Sequence, residues 1–139
     1  MRIAISATGD SLEAPVDFRF GRCPFFVIVD VENNEISKFE AIRNPAVGAF
    51  GGAGIQAAQL IANRGVNVVI TGNIGPNAFS VLTQTGIKVV TGVGGIKVRD
   101  AVEMYMRGEL KESTMPTRGF GPGFGRGFGR GRGFGMGGF

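Results

Sequence analysis

The sequence predicts an α/β fold built on a five-stranded mixed sheet in the order 3-2-1-4-5, with flanking helices. Three observations predict it. Apolar runs of strand length alternate with amphipathic helical stripes in the second half of the chain. Three helical stripes each stop at a glycine: Gly65, Gly86 and Gly108. A Glu32-Asn33-Asn34-Glu35 turn joins two strands in the first half, because Asn tolerates the positive φ of a tight hairpin.

In chain order, residues 1–7 read as a strand with Ile3 and Ile5 on one face. Residues 25–31 are an apolar run entered by Pro24 and interrupted only by Asp30, which suits a buried strand. Residues 35–42 return antiparallel, and their mixed polarity suits a sheet edge. Residues 48–54 read as a loop. The stripe Ile55, Ala58, Leu60, Ile61 and Ala62 is a helix, followed by a short strand over 66–70. Pro76 stands at the first position of the next helix. Residues 87–90 form the last strand, and Val98, Ala101, Val102 and Tyr105 mark the last helix.

The order is therefore β-β-β-α-β-α-β-α. Hairpins make the first three strands antiparallel, and right-handed crossovers set the last two parallel to the first. The strand order reverses between strands 1 and 4. Open α/β sheets bind ligands at such a switch point, outside the strand C-termini. Four loops meet there: 8–22, 43–54, 71–77 and 91–95. Cys23, at the start of strand 2, lies at the same edge.

The chain has 139 residues and a net charge of +4. All of the excess is in residues 118–139, which hold four arginines, five phenylalanines and no acid. Residues 1–117 balance 11 basic against 11 acidic side chains. The chain divides into a folded domain over 1–112 and a Gly/Phe/Arg-rich segment over 113–139, expected to be disordered. Four readings of that segment stand open: single-stranded RNA binding by charge and stacking, binding of an anionic inorganic polymer or cluster, self-association through cation–π contacts, and a solubilising tail. No run approaches the ~18 apolar residues of a membrane span. No leader pattern opens the chain, so a cytoplasmic location is expected. One cysteine allows no internal disulfide, and there is no histidine to serve as metal ligand or general base. No nucleophile–base pair stands out, which ranks an enzyme last among the readings.

Eight residues are the candidate site. Asn73, Gly75 and Asn77 lie in one glycine-punctuated loop and Gly92 and Gly94 in another; each loop leads into a helix whose free amides favour an anion. Glycine lets a ligand approach the backbone, or serves turn geometry alone. Arg19 and Arg22 either clamp an anion or pair with Asp10, Glu13 or Asp17. Cys23 is either a soft metal ligand or a small buried hydrophobe. A single thiolate cannot build an iron–sulfur site unaided.

The stretches Arg19-Phe20-Gly21-Arg22-Cys23-Pro24-Phe25-Phe26, Gly72-Asn73-Ile74-Gly75-Pro76-Asn77-Ala78-Phe79 and Gly86-Ile87-Lys88-Val89-Val90-Thr91-Gly92 resemble the dinitrogenase iron–molybdenum cofactor biosynthesis family. That family includes NifX, the C-terminal part of NifB and the orange proteins, and the resemblance spans about residues 1–112. It implies a ribonuclease H-like fold. It also implies non-catalytic binding, carriage or storage of an iron–sulfur or molybdenum-containing cluster. Many relatives carry a histidine where this chain has Arg19. The glycine-rich cationic tail is similar in composition to that of archaeal iron–sulfur storage members, which hold a polymeric anionic iron sulfide. The alternative is an RNA-associated protein that binds through its tail.

Overall fold

The computed structural model describes residues 1–48 and 51–117. It contains β1 (Arg2–Ala7), β2 (Phe25–Glu32), β3 (Glu35–Arg43), a 3-10 turn (Pro45–Gly48), α1 (Ala53–Ala62), β4 (Val68–Ile70), α2 (Pro76–Gln84), β5 (Lys88–Val90) and α3 (Val98–Met106). The five strands form one sheet in the order β3-β2-β1-β4-β5, as expected. β1 pairs antiparallel with β2 and parallel with β4. β2–β3 is antiparallel, and β4–β5 is parallel.

Local chemistry explains these elements. Asn33 and Asn34 adopt φ of 55° and 61° and close a two-residue hairpin between β2 and β3. That turn starts the antiparallel register, and a bulge between Asp30 and Val31 shifts it by one residue, so that Phe25 lies opposite Arg43 at the far end. α1 starts earlier than its apolar stripe suggests, because Gly52 in the left-handed region (φ 71°) turns the chain directly into the helix. β1 is central, so its interior residues are buried on both faces and show no alternation.

Two apolar layers sandwich the sheet. On one face Ile3, Ile5, Val27, Val29, Val68 and Ile70 pack against α3 through Val98, Ala101 and Val102. On the other, Ala4, Phe26, Ile28, Val69 and Val89 pack against α1 and α2 through Ala57, Ala58, Ile61, Ala78 and Leu82. Each layer removes branched aliphatic surface from water, the dominant favourable term in folding.

After α3 the chain returns to the sheet. The Ser113 N–H donates to the Val89 carbonyl at 2.7 Å, and the Thr117 N–H donates to the Ile74 carbonyl at 3.0 Å. The Ile74 N–H in turn donates to Thr117 Oγ1 at 2.7 Å. The first five residues of the segment assigned to the tail are therefore fastened beside β5 and the loop before α2. The rest of the tail, 118–139, and the readings that depend on it lie outside the described residues. Among the described residues no helix is long and apolar enough to cross a membrane.

Candidate functional site at the C-terminal edge of the sheet

The edge is assembled from beneath by buried polar groups at the switch point. Ser6 is the penultimate residue of β1 and Thr71 follows β4, and their hydroxyls hydrogen-bond at 2.7 Å. Ser6 Oγ also donates to the Asp17 carbonyl at 2.7 Å, and the Asp17 N–H donates to the Ser6 carbonyl at 2.8 Å. Ser6, Thr71 and Asp17 are all buried. Loop 8–22 is thereby fixed over the gap between β1 and β4.

Asp17 then sets Arg19. Its Oδ1 accepts the Arg19 backbone N–H at 2.8 Å and the guanidinium Nε at 3.1 Å, while Oδ2 accepts Nη2 at 3.0 Å. Of the two readings of Arg19, the structure realises the pairing with Asp17. The guanidinium nevertheless remains largely exposed, with 63% of its side-chain surface open. It is a positioned cation at the rim. Arg22 is exposed as well, and its Nη1 donates to the Val47 carbonyl at 3.1 Å.

Loop 8–22 runs beside the loop after β4. The Asn73 N–H donates to the Phe18 carbonyl at 2.7 Å, and the Phe20 N–H donates to the Asn73 carbonyl at 3.2 Å. The loop after β5 joins through the Gly92 N–H to the Gly72 carbonyl (2.9 Å) and the Val93 N–H to the Thr71 carbonyl (3.2 Å). Arg19, Asn73 and Gly92 therefore share one edge, as the sequence predicts.

The edge differs from expectation at α3. The Val98 and Arg99 amides donate to the Ala14 and Leu12 carbonyls, each at 2.9 Å, and the Gly95 amide donates to the Val16 carbonyl. Loop 8–22 folds back and caps this helix, so the loop with Gly92 and Gly94 does not aim a helix terminus at a ligand. Gly94 instead makes room for an aromatic ring. A Cβ there would lie 2.3 Å from the ring of Phe18.

Two other helix N-termini take that place. Neither α1 nor α2 has a side-chain cap; their N-cap residues are Gly52 and Gly75. Asn77 is exposed in the first turn of α2. The two helices approach closely: a Cβ on Gly54 would lie 3.3 Å from Ala78 Cβ. Gly21 rests on α1's first turn, where an added Cβ would be 3.0 Å from the Gly54 nitrogen. The loop carrying Arg19 and Arg22 thus abuts two adjoining helix starts. The first turns of two helices, with their positive dipole ends and no side-chain cap on either, lie side by side there, which suits an anion. The sequence marked α2's start; α1's contribution went unread, because 48–54 looked like an unstructured connection.

Cys23 is fully buried, among Phe20, Phe26 and Ala58. Its thiol donates to the Phe20 carbonyl at 3.3 Å. Burial, reinforced by the negative charge of Asp17, pushes the thiol pKa up to about 12. At neutral pH it is a protonated, enclosed group. The same shift predicts an alkaline weakness. The neutral thiol is favoured in the folded state, so its contribution is fully present below the unfolded-state pKa of about 9 and is lost as pH rises toward 12. Stability is expected to fall by up to about 1.4 kcal/mol per pH unit in that window. Urea titrations of wild type and Cys23→Ala between pH 8 and pH 11 measure it. A wild-type slope no steeper than the variant's would contradict the assignment.

Asn44, which the sequence did not mark, holds this corner. Its Nδ2 donates to the Gly21 carbonyl at 3.1 Å and the Cys23 carbonyl at 2.9 Å, and its Oδ1 accepts the Ala46 N–H at 3.0 Å. No group of three or more Cys, Asp or Glu side chains is placed to hold a metal ion among the described residues. Clefts of about 260 and 480 Å³ lie toward the opposite end of the sheet, near Arg2 and Asp30 and near Asn34 and Glu35. Neither includes a candidate-site residue.

Comparison with known proteins gives this edge its context. The orange protein of Desulfovibrio gigas, in its apo form, is 39% identical with a TM-score of 0.80, covering 84% of this chain and 96% of that one. A candidate NifB protein from Thermotoga, solved by NMR, is 35% identical with a TM-score of 0.71, covering 84% and 97%. An uncharacterised protein of Methanocaldococcus jannaschii is 38% identical over 112 residues, which are 81% of this chain and 91% of that one. Residues 1–108 match the family model described as dinitrogenase iron-molybdenum cofactor, and the chain belongs to that family.

Proposed function

We propose that this protein binds and carries an anionic metal–sulfur cluster, iron–sulfur or molybdenum-containing, without catalysing a reaction on it. The observation that carries the reading is the convergence of two uncapped helix starts, α1 and α2, beside Arg19 and Arg22. The cluster is cargo. It would be held by charge and by hydrogen bonds from backbone amides, with Asn73, Gly75 and Asn77 at its margin. Charge-assisted hydrogen bonds to an anion are about twice as strong as neutral ones. The buried, protonated Cys23 supports a site that contributes no protein sulfur. We assign the sheet order and its flanking helices to the ribonuclease H-like class.

Anaerobic titration of the full-length protein with tetrathiomolybdate, and separately with an iron–sulfide reconstitution mixture, tests the proposal. Arg22→Ala is expected to weaken retention about tenfold or more, since a charged hydrogen bond contributes roughly 1.5–3 kcal/mol. Cys23→Ser should retain the affinity. Unchanged affinity in Arg22→Ala would remove that residue from the site. Loss of binding in a folded Cys23→Ser variant would restore direct ligation by sulfur.

A further inference from the structure

Phe18 is the residue at this edge whose placement the fold does not require. It is 57% exposed, one of few large apolar side chains left open among the described residues. Yet its position is tightly specified. Its backbone lies on Gly72, where an added Cβ would stand 2.7 Å from Phe18 Cα and 2.8 Å from its carbonyl oxygen. Its ring lies on Gly94, where an added Cβ would stand 2.3 Å from Cε1 and 2.4 Å from Cδ1. Its carbonyl accepts the Asn73 amide. An aromatic ring kept exposed and held in place by two glycines presents a fixed apolar surface at this edge of the sheet. Met115, 68% exposed, sits in the segment fastened by Ser113 at β5 and by Thr117 at Ile74.

We infer that Phe18 is a specificity-determining residue of the proposed site, selecting sulfide-rich anions over oxyanions. The inference rests on the reading of the site as an anion site. Amides and guanidinium groups alone do not discriminate between the two classes, because both carry negative charge. A phenyl face does. It excludes water from one side of the ligand, which penalises a strongly hydrated oxyanion more than a weakly hydrated sulfide. It also makes favourable contact with polarizable sulfur. Aromatic rings carry positive edges that tolerate an adjacent anion. Arg19, next in sequence and pinned by Asp17, supplies charge beside the ring.

The experiment compares two isostructural probes. Tetrathiomolybdate and molybdate are titrated separately and anaerobically into full-length wild type, Phe18→Ser and Gly94→Ala. Wild type is expected to prefer tetrathiomolybdate. Phe18→Ser should lose about three- to tenfold of that affinity, the scale of a sulfur–aromatic contact, with molybdate binding unchanged. Gly94→Ala gives an independent arm. Gly94 does not have a positive φ, so an alanine is tolerated by the backbone and acts by displacing the ring. It should shift the preference in the same direction as Phe18→Ser. A wild type that binds tetrathiomolybdate, with the same preference in both variants, would overturn the role of Phe18 alone. A wild type that binds neither anion would overturn the site and the assignment together.

Discussion

Asn44→Ala is expected to destabilise the protein by about 3–5 kcal/mol. Asn44 is fully buried and satisfies three backbone groups at once. Alanine leaves the Gly21 and Cys23 carbonyls and the Ala46 amide without that partner. Each buried polar group deprived of its hydrogen bond costs roughly 1–3 kcal/mol. The segment Gly21 to Cys23 would keep the Arg22–Val47 hydrogen bond but lose its side-chain tie to Asn44, so the arginine loop should loosen as well. Asn44→Asp separates the contributions. It keeps the volume and the acceptor for Ala46, but it sets a carboxylate against two carbonyl oxygens. That variant should be no more stable than the alanine. Denaturant unfolding with a shared m-value measures both. A loss under about 1 kcal/mol in Asn44→Ala would show that water replaces the amide and that the corner is not held by this residue.

Much of the sheet was legible because its determinants are local. The Asn33-Asn34 turn closes the β2–β3 hairpin, and Gly65, Gly86 and Gly108 each have positive φ just past a helix. With the hairpins and crossovers fixed, handedness leaves essentially one strand order. The switch-point argument then brings Arg19, Asn73 and Gly92 to one edge, where they are found. What stayed hidden depends on long-range pairing. The long loop 8–22 could not be seen to cap α3 with the carbonyls of Leu12 and Ala14. Asn44-Pro45 reads as loop punctuation, and nothing local reveals that its side chain reaches back to Gly21 and Cys23. Cys23 precedes a proline at a strand entrance, a position where periodicity does not distinguish inside from outside.

The glycines teach the most specific lesson. In the loops 71–77 and 91–95 glycine reads either as room for a ligand to approach the backbone or as turn geometry alone, and the structure shows close approach at Gly72 and Gly94. The group that approaches is Phe18 rather than a ligand. A glycine signal states that a Cβ is forbidden; the identity of the neighbour comes only from the fold. Likewise, an arginine near an acidic loop has two outcomes, and the buried carboxylate of Asp17 decides for Arg19. The cation is not lost to the site by this pairing. Its orientation is set in advance, which lowers the entropy to be lost on binding.

Gly72→Ala is the second large expected effect. Its position lies between β4 and the loop that carries Asn73. An added Cβ would meet Phe18 Cα at 2.7 Å and the Phe18 carbonyl oxygen at 2.8 Å, well inside contact distance. The obstructing atoms are backbone, so no side-chain rotation relieves them. Either loop 8–22 lifts or the 71–75 loop retreats. Both movements strain the hydrogen bonds from Asn73 to Phe18 and from Phe20 to Asn73, and with them the route from Asp17 to Arg19. Overpacking of this kind costs typically about 1–3 kcal/mol, and a backbone obstruction should reach the upper end. Gly94→Ala provides the internal comparison. The atoms nearest its added methyl belong to the ring of Phe18, a side chain that is partly open to solvent, so the cost to stability should be clearly smaller. Thermal and denaturant unfolding of the two variants, side by side, decide the matter. Equal stability losses would mean that the Phe18 backbone yields as easily as its ring, and the rigid edge on which the selectivity of Phe18 depends would be refuted.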